Sequence, residues 1–297
     1  MEKKEWLELR KKGIGGSDAA TVMGLNPWKS PLDLWLEKTG EYVSEQEDNE
    51  RMYWGSTLED VVAKEFMLRT GYKVRRKNKI LWHKEYPFML ANVDRMLVDF
   101  KAGLECKTAG HHTADDWADG VPEYHIPQVQ HYMAVTDCPV WFVAVLIAGQ
   151  EYRCYRVDYD KAYVKDMIQA EADFWRLVLD KTPPPIGGTK ADTETVKKLY
   201  PVAADKAINL PFEAFELIQQ YEQACAEEKM VQFLKDEAAN RLKSMLGEAG
   251  QGTVYDRKVI WSNVTQKRFD SDALKKEQKD LYERYLKETS FRRFSIK

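Results

Sequence analysis

Two carboxylates and an ammonium group lie close together in the middle of the sequence. Asp94 is followed, after ten intervening residues, by Glu105-Cys106-Lys107. Because alternate residues of a strand face the same side, Glu105 and Lys107 would share one face while Cys106 points into the core. Carboxylate oxygens are the ligands that hard divalent cations take, and a lysine beside them can orient or deprotonate a water molecule. The pattern indicates phosphodiester hydrolysis, although the same residues are also typical of a solvated hairpin.

Two further pairs of residues could contribute to a site. Gln128 and Tyr132 are four residues apart in a predicted helix, so both would project from one face toward the edge of the sheet. Arg10 and Ser17 flank a glycine-rich segment, 13–16, whose amide groups could approach an anion that the guanidinium also binds. The alternative for this second pair is an ordinary helix cap beside a surface arginine.

The secondary structure that must position these residues follows from local patterns. Residues 56–59 read Ser-Thr-Leu-Glu, a capping-box pattern that predicts a helix with Glu59 in its first turn. Ser30 followed by Pro31 predicts an earlier short helix. We expect an α/β fold in which a central mixed sheet is flanked by helices. The predicted strands cover 72–76, 79–83, 88–98 and 104–108 as neighbours in one sheet, then 140–147 and 152–157, and the other helices cover 122–136, 160–179 and 211–248.

Composition and length restrict the class of protein. The 297 residues are 44% hydrophobic and 31% charged, which is typical of a globular protein, and the longest apolar run, 139–148, is far shorter than a membrane span. Four scattered cysteines without a Cys-x-x-Cys pair argue against a zinc ribbon or a disulfide framework. We therefore expect a cytoplasmic protein without membrane contact. The proline- and glycine-rich segment 183–190 predicts a linker between a core domain, 1–182, and a mostly helical extension with a short hairpin, 191–297.

Together these motifs resemble the core of the PD-(D/E)xK nucleases. The closest likeness is to the YqaJ-like and lambda-exonuclease-like branch of phage recombination nucleases, and it covers residues 8–180 well. The segments 14–18, 26–28 and 54–59 also look like that branch. One departure is visible, because Val93-Asp94 stands where the superfamily has Pro-Asp. The resemblance implies a restriction-endonuclease-like core with a helical C-terminal extension.

The resemblance also implies roles for the individual residues. Glu59, Asp94, Glu105 and the backbone carbonyl of Cys106 would be ligands of Mg²⁺, with Mn²⁺ as a substitute. Lys107 would activate the attacking water. The remaining four would act beside the metal: Gln128 and Tyr132 would support the site and the scissile phosphate, and Arg10 with Ser17 would bind the 5′-terminal phosphate.

For substrate and partners, the resemblance implies double-stranded DNA ends and a single-strand annealing protein. The expected activity removes one strand from its 5′ end and leaves a 3′ single strand for annealing recombination. Related nucleases form rings around DNA, so a ring-forming trimer is expected, in the cytoplasm of a bacterial host and of phage or prophage origin. The net charge is unevenly distributed. Residues 251–297 hold 12 Lys and Arg against 7 Asp and Glu, a charge of +5, so residues 1–250 carry −8 and the whole chain −3. A polyanion would therefore meet the C-terminal segment first.

Two other functions remain open at this level. The same metal site could serve a structure- or sequence-selective endonuclease, or the chain could be a non-catalytic adaptor for DNA ends or for an annealing protein, with residues 189–297 as its binding surface. A basic stretch, 73–84, could follow phosphates or could be a solvated edge strand. Trp28, Trp82 and Trp117 are the candidates for base stacking.

Overall fold

The computed structural model describes residues 8–41, 50–77 and 79–296. The chain divides into two compact units, one ending at Leu199 and the other beginning at Tyr200. Within the described ranges, no helix is long and apolar enough to cross a membrane. The first unit contains helices α1 (Gly16–Val22), α2 (Pro31–Thr39), α3 (Glu50–Thr70), α4 (Ile126–Thr136), α5 (Lys161–Leu179) and α6 (Lys190–Leu199) and strands β1 (Ile14–Gly15), β2 (Val74–Arg76), β3 (Leu81–Trp82), β4 (Met89–Ala91), β5 (Arg95–Leu97), β6 (Ala102–Ala109), β7 (Val140–Ile147) and β8 (Glu151–Asp158).

The first unit is built around a five-stranded mixed sheet in the order β2-β5-β6-β7-β8. Strands β6 and β7 run parallel, and the other neighbours are antiparallel. Helix α3 covers one face, where Phe66 packs with Leu104 and Ala144. Helix α4 covers the other face, where Met133 packs with Trp141. The predicted α/β fold, with a mixed sheet between helices, is confirmed.

The strands predicted over 72–108 do not all belong to one sheet. Strands β3 and β4 form a separate three-stranded sheet with β1, in the order β1-β4-β3. The extended stretch predicted over 88–98 is therefore divided at residues 92–94. Asp94 lies in this break, where its Oδ2 accepts a hydrogen bond of 2.9 Å from the Cys106 amide. The apolar alternation continues through the break, which is why the sequence pattern gave no sign of it.

The helix that carries Glu59 begins earlier than predicted. Helix α3 already includes Glu50, so Ser56 and Glu59 lie in its interior and the capping-box prediction was wrong. The helix ends at Thr70, and Gly71 follows it with a φ of 75°. The prediction for α2 also holds, because the Ser30 side chain accepts a hydrogen bond from the Asp33 amide, 3.1 Å away, and Pro31 is the first helical residue.

The second unit contains a long helix, a hairpin and two short helices. Helix α7 covers 34 residues without a break, and all of its residues are exposed or only partly covered. The Tyr221 ring on this helix packs edge-on against Phe294 near the C terminus. The elements of this unit are α7 (Glu213–Leu246), β9 (Gln251–Val254), β10 (Arg257–Ile260), α8 (Ser271–Glu277) and α9 (Lys279–Tyr285).

Candidate active site

Strand β6 carries the central pair of charged side chains. Glu105 and Lys107 are two residues apart and face α4, while Cys106 packs with the core on the α3 side. The Lys107 ammonium lies 2.8 Å from Glu105 Oε1. The Glu105 side chain is 5% exposed, so this pair is shielded from the screening that weakens surface ion pairs. The spacing of two predicted this shared face, and the structure agrees.

Helix α4 adds an amide and a phenol to this pair. Gln128 Nε2 donates to Glu105 Oε1, 2.7 Å away, and lies 2.9 Å from the Tyr132 hydroxyl. The Gln128 Oε1 atom accepts from Lys107 Nζ at 2.8 Å. One glutamine amide therefore connects the carboxylate, the ammonium and the phenol, and its spacing of four from Tyr132 is what places both side chains at the sheet.

The charges around Asp94 make its ionised form costly. Burial raises the pKa of Asp94 well above its usual value, and the charges of Glu105 and Glu59 raise it further. Burial also raises the pKa of Tyr132, together with the charges of Glu105 and Asp94, so its phenol stays protonated. The charges of the neighbouring carboxylates thus disfavour the ionised form of Asp94 in this buried place.

Glu59 lies on the other side of the sheet, on α3, and is held by a cation. Its Oε1 accepts a hydrogen bond from Arg95 Nη1, and Arg95 also lies 2.5 Å from Asp60 Oδ1. Across residues 8–41, 50–77 and 79–296, no three or more His, Cys, Asp or Glu side chains are grouped closely enough to hold a metal ion. The arrangement brings Asp94 and Glu105 together and leaves Glu59 at their border, close enough to act on the pKa of Asp94.

Arg95 is the residue of this site that sequence reasoning missed. It is 4% exposed and bonds the Asp94 carbonyl as well as the two α3 carboxylates. The sequence did contain a signal for Arg95. Val93, Arg95 and Leu97 are alternate residues that share one face of the chain, and the two apolar ones predict that this face is buried. A cation between them needs a buried anion as its partner.

The side chains at the site fit a divalent cation. Glu105 Oε2 is buried and has no hydrogen-bond partner, so one carboxylate oxygen is unused in a place where an unpaired acceptor is costly. Asp94 places a second carboxylate at the same cavity as Glu105. Oxygen donors of this kind are the ones that Mg²⁺ and Mn²⁺ bind, and a cation between the carboxylates would offset their repulsion.

A second cluster, formed by Arg10, Ser17, Asp18 and Lys38, lies next to these carboxylates. Arg10 Nη2 lies 3.1 Å from Ser17 Oγ and 3.2 Å from Asp18 Oδ1, and the buried Lys38 ammonium lies 2.7 Å from Asp18 Oδ2. The ion pairs lower the pKa of Asp18 despite its burial. A cavity of about 150 Å³ joins this cluster to the other site; its lining includes Arg10, Gly16, Ser17, Asp94, Glu105, Gln128 and Tyr132.

The tryptophans predicted to stack on bases differ in exposure. Trp117 is 1% exposed and belongs to the core, so that prediction was wrong. Trp28 and Trp82 are 66% and 41% exposed. The basic stretch 73–84 lies partly in β2 and β3, which are both edge strands.

Similarity to known proteins agrees with this architecture. Residues 5–139 match the family model of the YqaJ-like viral recombinase domain. The chain is 43% identical over 303 residues to the YqaJ protein of Bacillus subtilis (strain 168), covering 100% of this chain and 95% of that one. In fold it is similar to the crystal structure of an alkaline exonuclease, LHK-Exo, from Laribacter hongkongensis, with a TM-score of 0.53 and 20% identity over 66% of this chain and 100% of that one. The structure of LHK-Exo in complex with dAMP gives a TM-score of 0.51 at 19% identity, over 66% and 97% of the two chains.

The extent of the match to the Bacillus protein, over essentially the whole of both chains, goes beyond a shared core fold. The chain belongs to the YqaJ-like viral recombinase family.

Proposed function

We propose that this protein is a Mg²⁺-dependent deoxyribonuclease that acts at the ends of double-stranded DNA and removes one strand from its 5′ end. The observation that carries the proposal is the network of Glu105, Lys107, Gln128 and Tyr132. Its members Glu105, Gln128 and Tyr132 line one cavity with Asp94. The family and the alkaline-exonuclease fold support it. Resection of this kind would leave a 3′ single strand for annealing recombination.

Each side chain of the network has a distinct task in this proposal. Asp94, Glu105 and the Cys106 carbonyl would hold Mg²⁺, and Glu59 would join them if it left Arg95. The cation supplies Lewis-acid stabilisation of the charge that develops on the phosphate oxygens. Lys107, held by Glu105 and Gln128, would orient the attacking water by donating a hydrogen bond to its oxygen, since an ammonium group only donates.

The Arg10 cluster supports the 5′ polarity. Arg10 and Ser17 line the same cavity as Asp94 and Glu105. An arginine presents a planar pair of donors that matches phosphate oxygens. A terminal phosphate bound there would place the first phosphodiester next to the carboxylates, so the enzyme would cut from the 5′ end.

Linear duplexes labelled at either terminus test the proposal. We expect release of nucleotides from the 5′ end in Mg²⁺, no release in EDTA, and slower release when the 5′ phosphate is replaced by a hydroxyl. Covalently closed circles should stay intact, whereas cutting of circles would instead identify an endonuclease. Binding of ends without any nucleotide release would instead support an adaptor.

Lys107→Ala and Lys165→Ala form a matched pair of variants for the same assay. Loss of the lysine that orients the water should reduce the rate by at least about 100-fold, because general acid–base groups contribute on that scale. Lys165 is exposed on α5, away from the candidate site, and its variant should cut at the wild-type rate. A Lys107→Ala protein that cuts normally would contradict the assignment.

The proposal extends to assembly and partner. A ring of three copies around DNA would make digestion processive, and a single-strand annealing protein would receive the 3′ strand. Light scattering under the conditions of DNA cutting measures the oligomeric state, and a strict monomer would rule out the ring. Co-sedimentation with a single-strand annealing protein would test the proposed partner.

A further inference from the structure

An aromatic cleft, defined here by Trp28, Trp54, Thr108, Gly110, Tyr124 and His125, opens at the carboxyl end of β6. It encloses about 540 Å³. Thr108 directly follows Lys107, and at about 3.3 Å per strand residue the cleft begins within about 10 Å of the proposed catalytic pair. The cleft therefore continues the proposed active site along the same strand.

The exposed rings of this cleft come from both sides of the sheet. Trp54 belongs to α3 and is 50% exposed. Trp28 lies in the loop before α2, is 66% exposed, and packs edge-on against Tyr124 with ring centroids 5.0 Å apart. Tyr124 immediately precedes the turn into α4, on the opposite face from α3. Large aromatic surfaces left in water at a cleft are typical of a binding site.

The polar groups in the cleft suit bases better than phosphates. Glu50 and Arg51 offset one another in charge, and the Trp54 indole N–H already donates to Glu50 Oε2, 2.9 Å away. Burial keeps His125 uncharged, with a pKa lowered to about 3. A neutral cleft with flat aromatic faces attracts a partner through stacking, whereas phosphates would remain at the basic Arg10 cluster outside it.

We propose that this cleft binds unpaired bases of the DNA strand that enters the active site, by stacking them on Trp28 and Trp54. The inference rests on the proposed function for the identity of the polymer. Each stacked base is worth about 1–3 kcal/mol, so loss of one ring corresponds to about a 5- to 150-fold weaker affinity. The cleft thus provides a sequence-tolerant grip on single-stranded DNA beside the site of hydrolysis.

Oligonucleotide titrations in EDTA test the cleft without hydrolysis. The probes are a ten-nucleotide oligothymidylate and an abasic strand of equal length, followed by fluorescence anisotropy of a label on each probe. Wild-type protein should prefer the strand with bases. Trp28→Ala and Trp54→Ala should each lose at least about 5-fold in affinity for oligothymidylate and keep their affinity for the abasic strand, and Trp28→Phe should stay close to wild type.

Tyr159→Ala is the matched control, because Tyr159 is 40% exposed and follows β8 at the opposite end of the sheet. It should bind both strands as wild type does. Equal wild-type affinity for the two strands, or unchanged affinity in both tryptophan variants, would overturn the proposal. Failure of the nuclease proposal would look different. If the wild-type protein prefers the strand with bases through Trp28 but releases no nucleotides in Mg²⁺, the nuclease proposal is wrong and the proposed base-binding cleft still stands.

Discussion

Gly16 lies so close to the ring of Tyr132 that a β-carbon at this position would stand 2.4 Å from Tyr132 Cε1. This contact joins the beginning of α1 to the face of α4. It also links the two halves of the site, the Arg10 cluster and the network around Glu105. Gly16 directly precedes Ser17 of the first, and Tyr132 is hydrogen-bonded to Gln128 of the second. Only a residue without a side chain allows both halves to share one cavity.

Gly16→Ala should therefore disturb both halves at once. The methyl group would displace Tyr132 and with it Gln128, which we expect to cost about 1–3 kcal/mol of stability and to slow DNA hydrolysis. Gly55→Ala is the control, because its β-carbon would stand 3.8 Å from Thr108 Oγ1 and an alanine in the interior of α3 should gain up to about 1 kcal/mol. Chemical denaturation of both variants measures the difference, and equal stabilities would contradict the contact.

Asp94→Asn should stabilise the protein in EDTA while removing its response to Mg²⁺. Burial and the neighbouring carboxylates raise the pKa of Asp94, so a neutral amide should be favoured there by about 0.5–2 kcal/mol. In the wild-type protein, Mg²⁺ at about 100 times its dissociation constant should raise the free energy of unfolding by about 2.7 kcal/mol. Melting temperatures across a Mg²⁺ series measure both effects. Asp99→Asn, at an exposed carboxylate, should keep the wild-type response, and a retained response in Asp94→Asn would rule out this carboxylate as a ligand.

Asp18→Asn should be among the more destabilising single changes in the first unit. It leaves the Lys38 ammonium, whose side chain is 1% exposed, without its anion, and breaking a buried pair costs about 3–5 kcal/mol. Replacing Lys38 by Met in the same protein should restore part of the loss. The control is Asp137→Asn, since its partner Lys101 is 68% exposed and such a pair is worth about 1 kcal/mol or less. Urea denaturation that shows equal losses would contradict the buried pair.

His125 should make the protein sensitive to acid. Burial, with a contribution from Lys107, lowers its pKa to about 3, whereas the unfolded chain titrates near 6.5. The unfolded state therefore binds a proton first, and stability should fall as the pH decreases from about 6.5 toward about 3. His125→Phe keeps a ring against Trp117 and should show a flatter dependence of melting temperature on pH. His112→Phe, at an exposed position, should follow wild type; parallel curves for all three would contradict the prediction.

Spacing within one element was enough to predict the centre of the site. Glu105 and Lys107 share a strand, and Gln128 and Tyr132 share a helix, so the periods of two and about 3.6 residues fix their relative directions. For Arg10 and Ser17 the expectation comes from the resemblance to the recombination nucleases, and the two side chains lie 3.1 Å apart. Their roles in catalysis and in phosphate binding stay predictions.

Positions that depend on packing between elements could not be predicted in this way. Ser56 and Glu59 satisfy a four-residue capping pattern, yet nothing within 50–55 stops the helix from beginning earlier. The division of 88–98 between two sheets depends on the Asp94 carboxylate reaching the Cys106 amide, a contact across twelve residues of sequence. The same holds for Arg95, whose partners come from α3.

Helix α7 has no fully buried side chain. At 1.5 Å per residue its 34 residues form a rod about 50 Å long, and side chains such as Phe215, Met230 and Met245 are exposed. Its helicity therefore rests largely on backbone propensity and short-range pairs, which melt gradually rather than in one cooperative step. On heating, this rod should fray over a broad range of temperature.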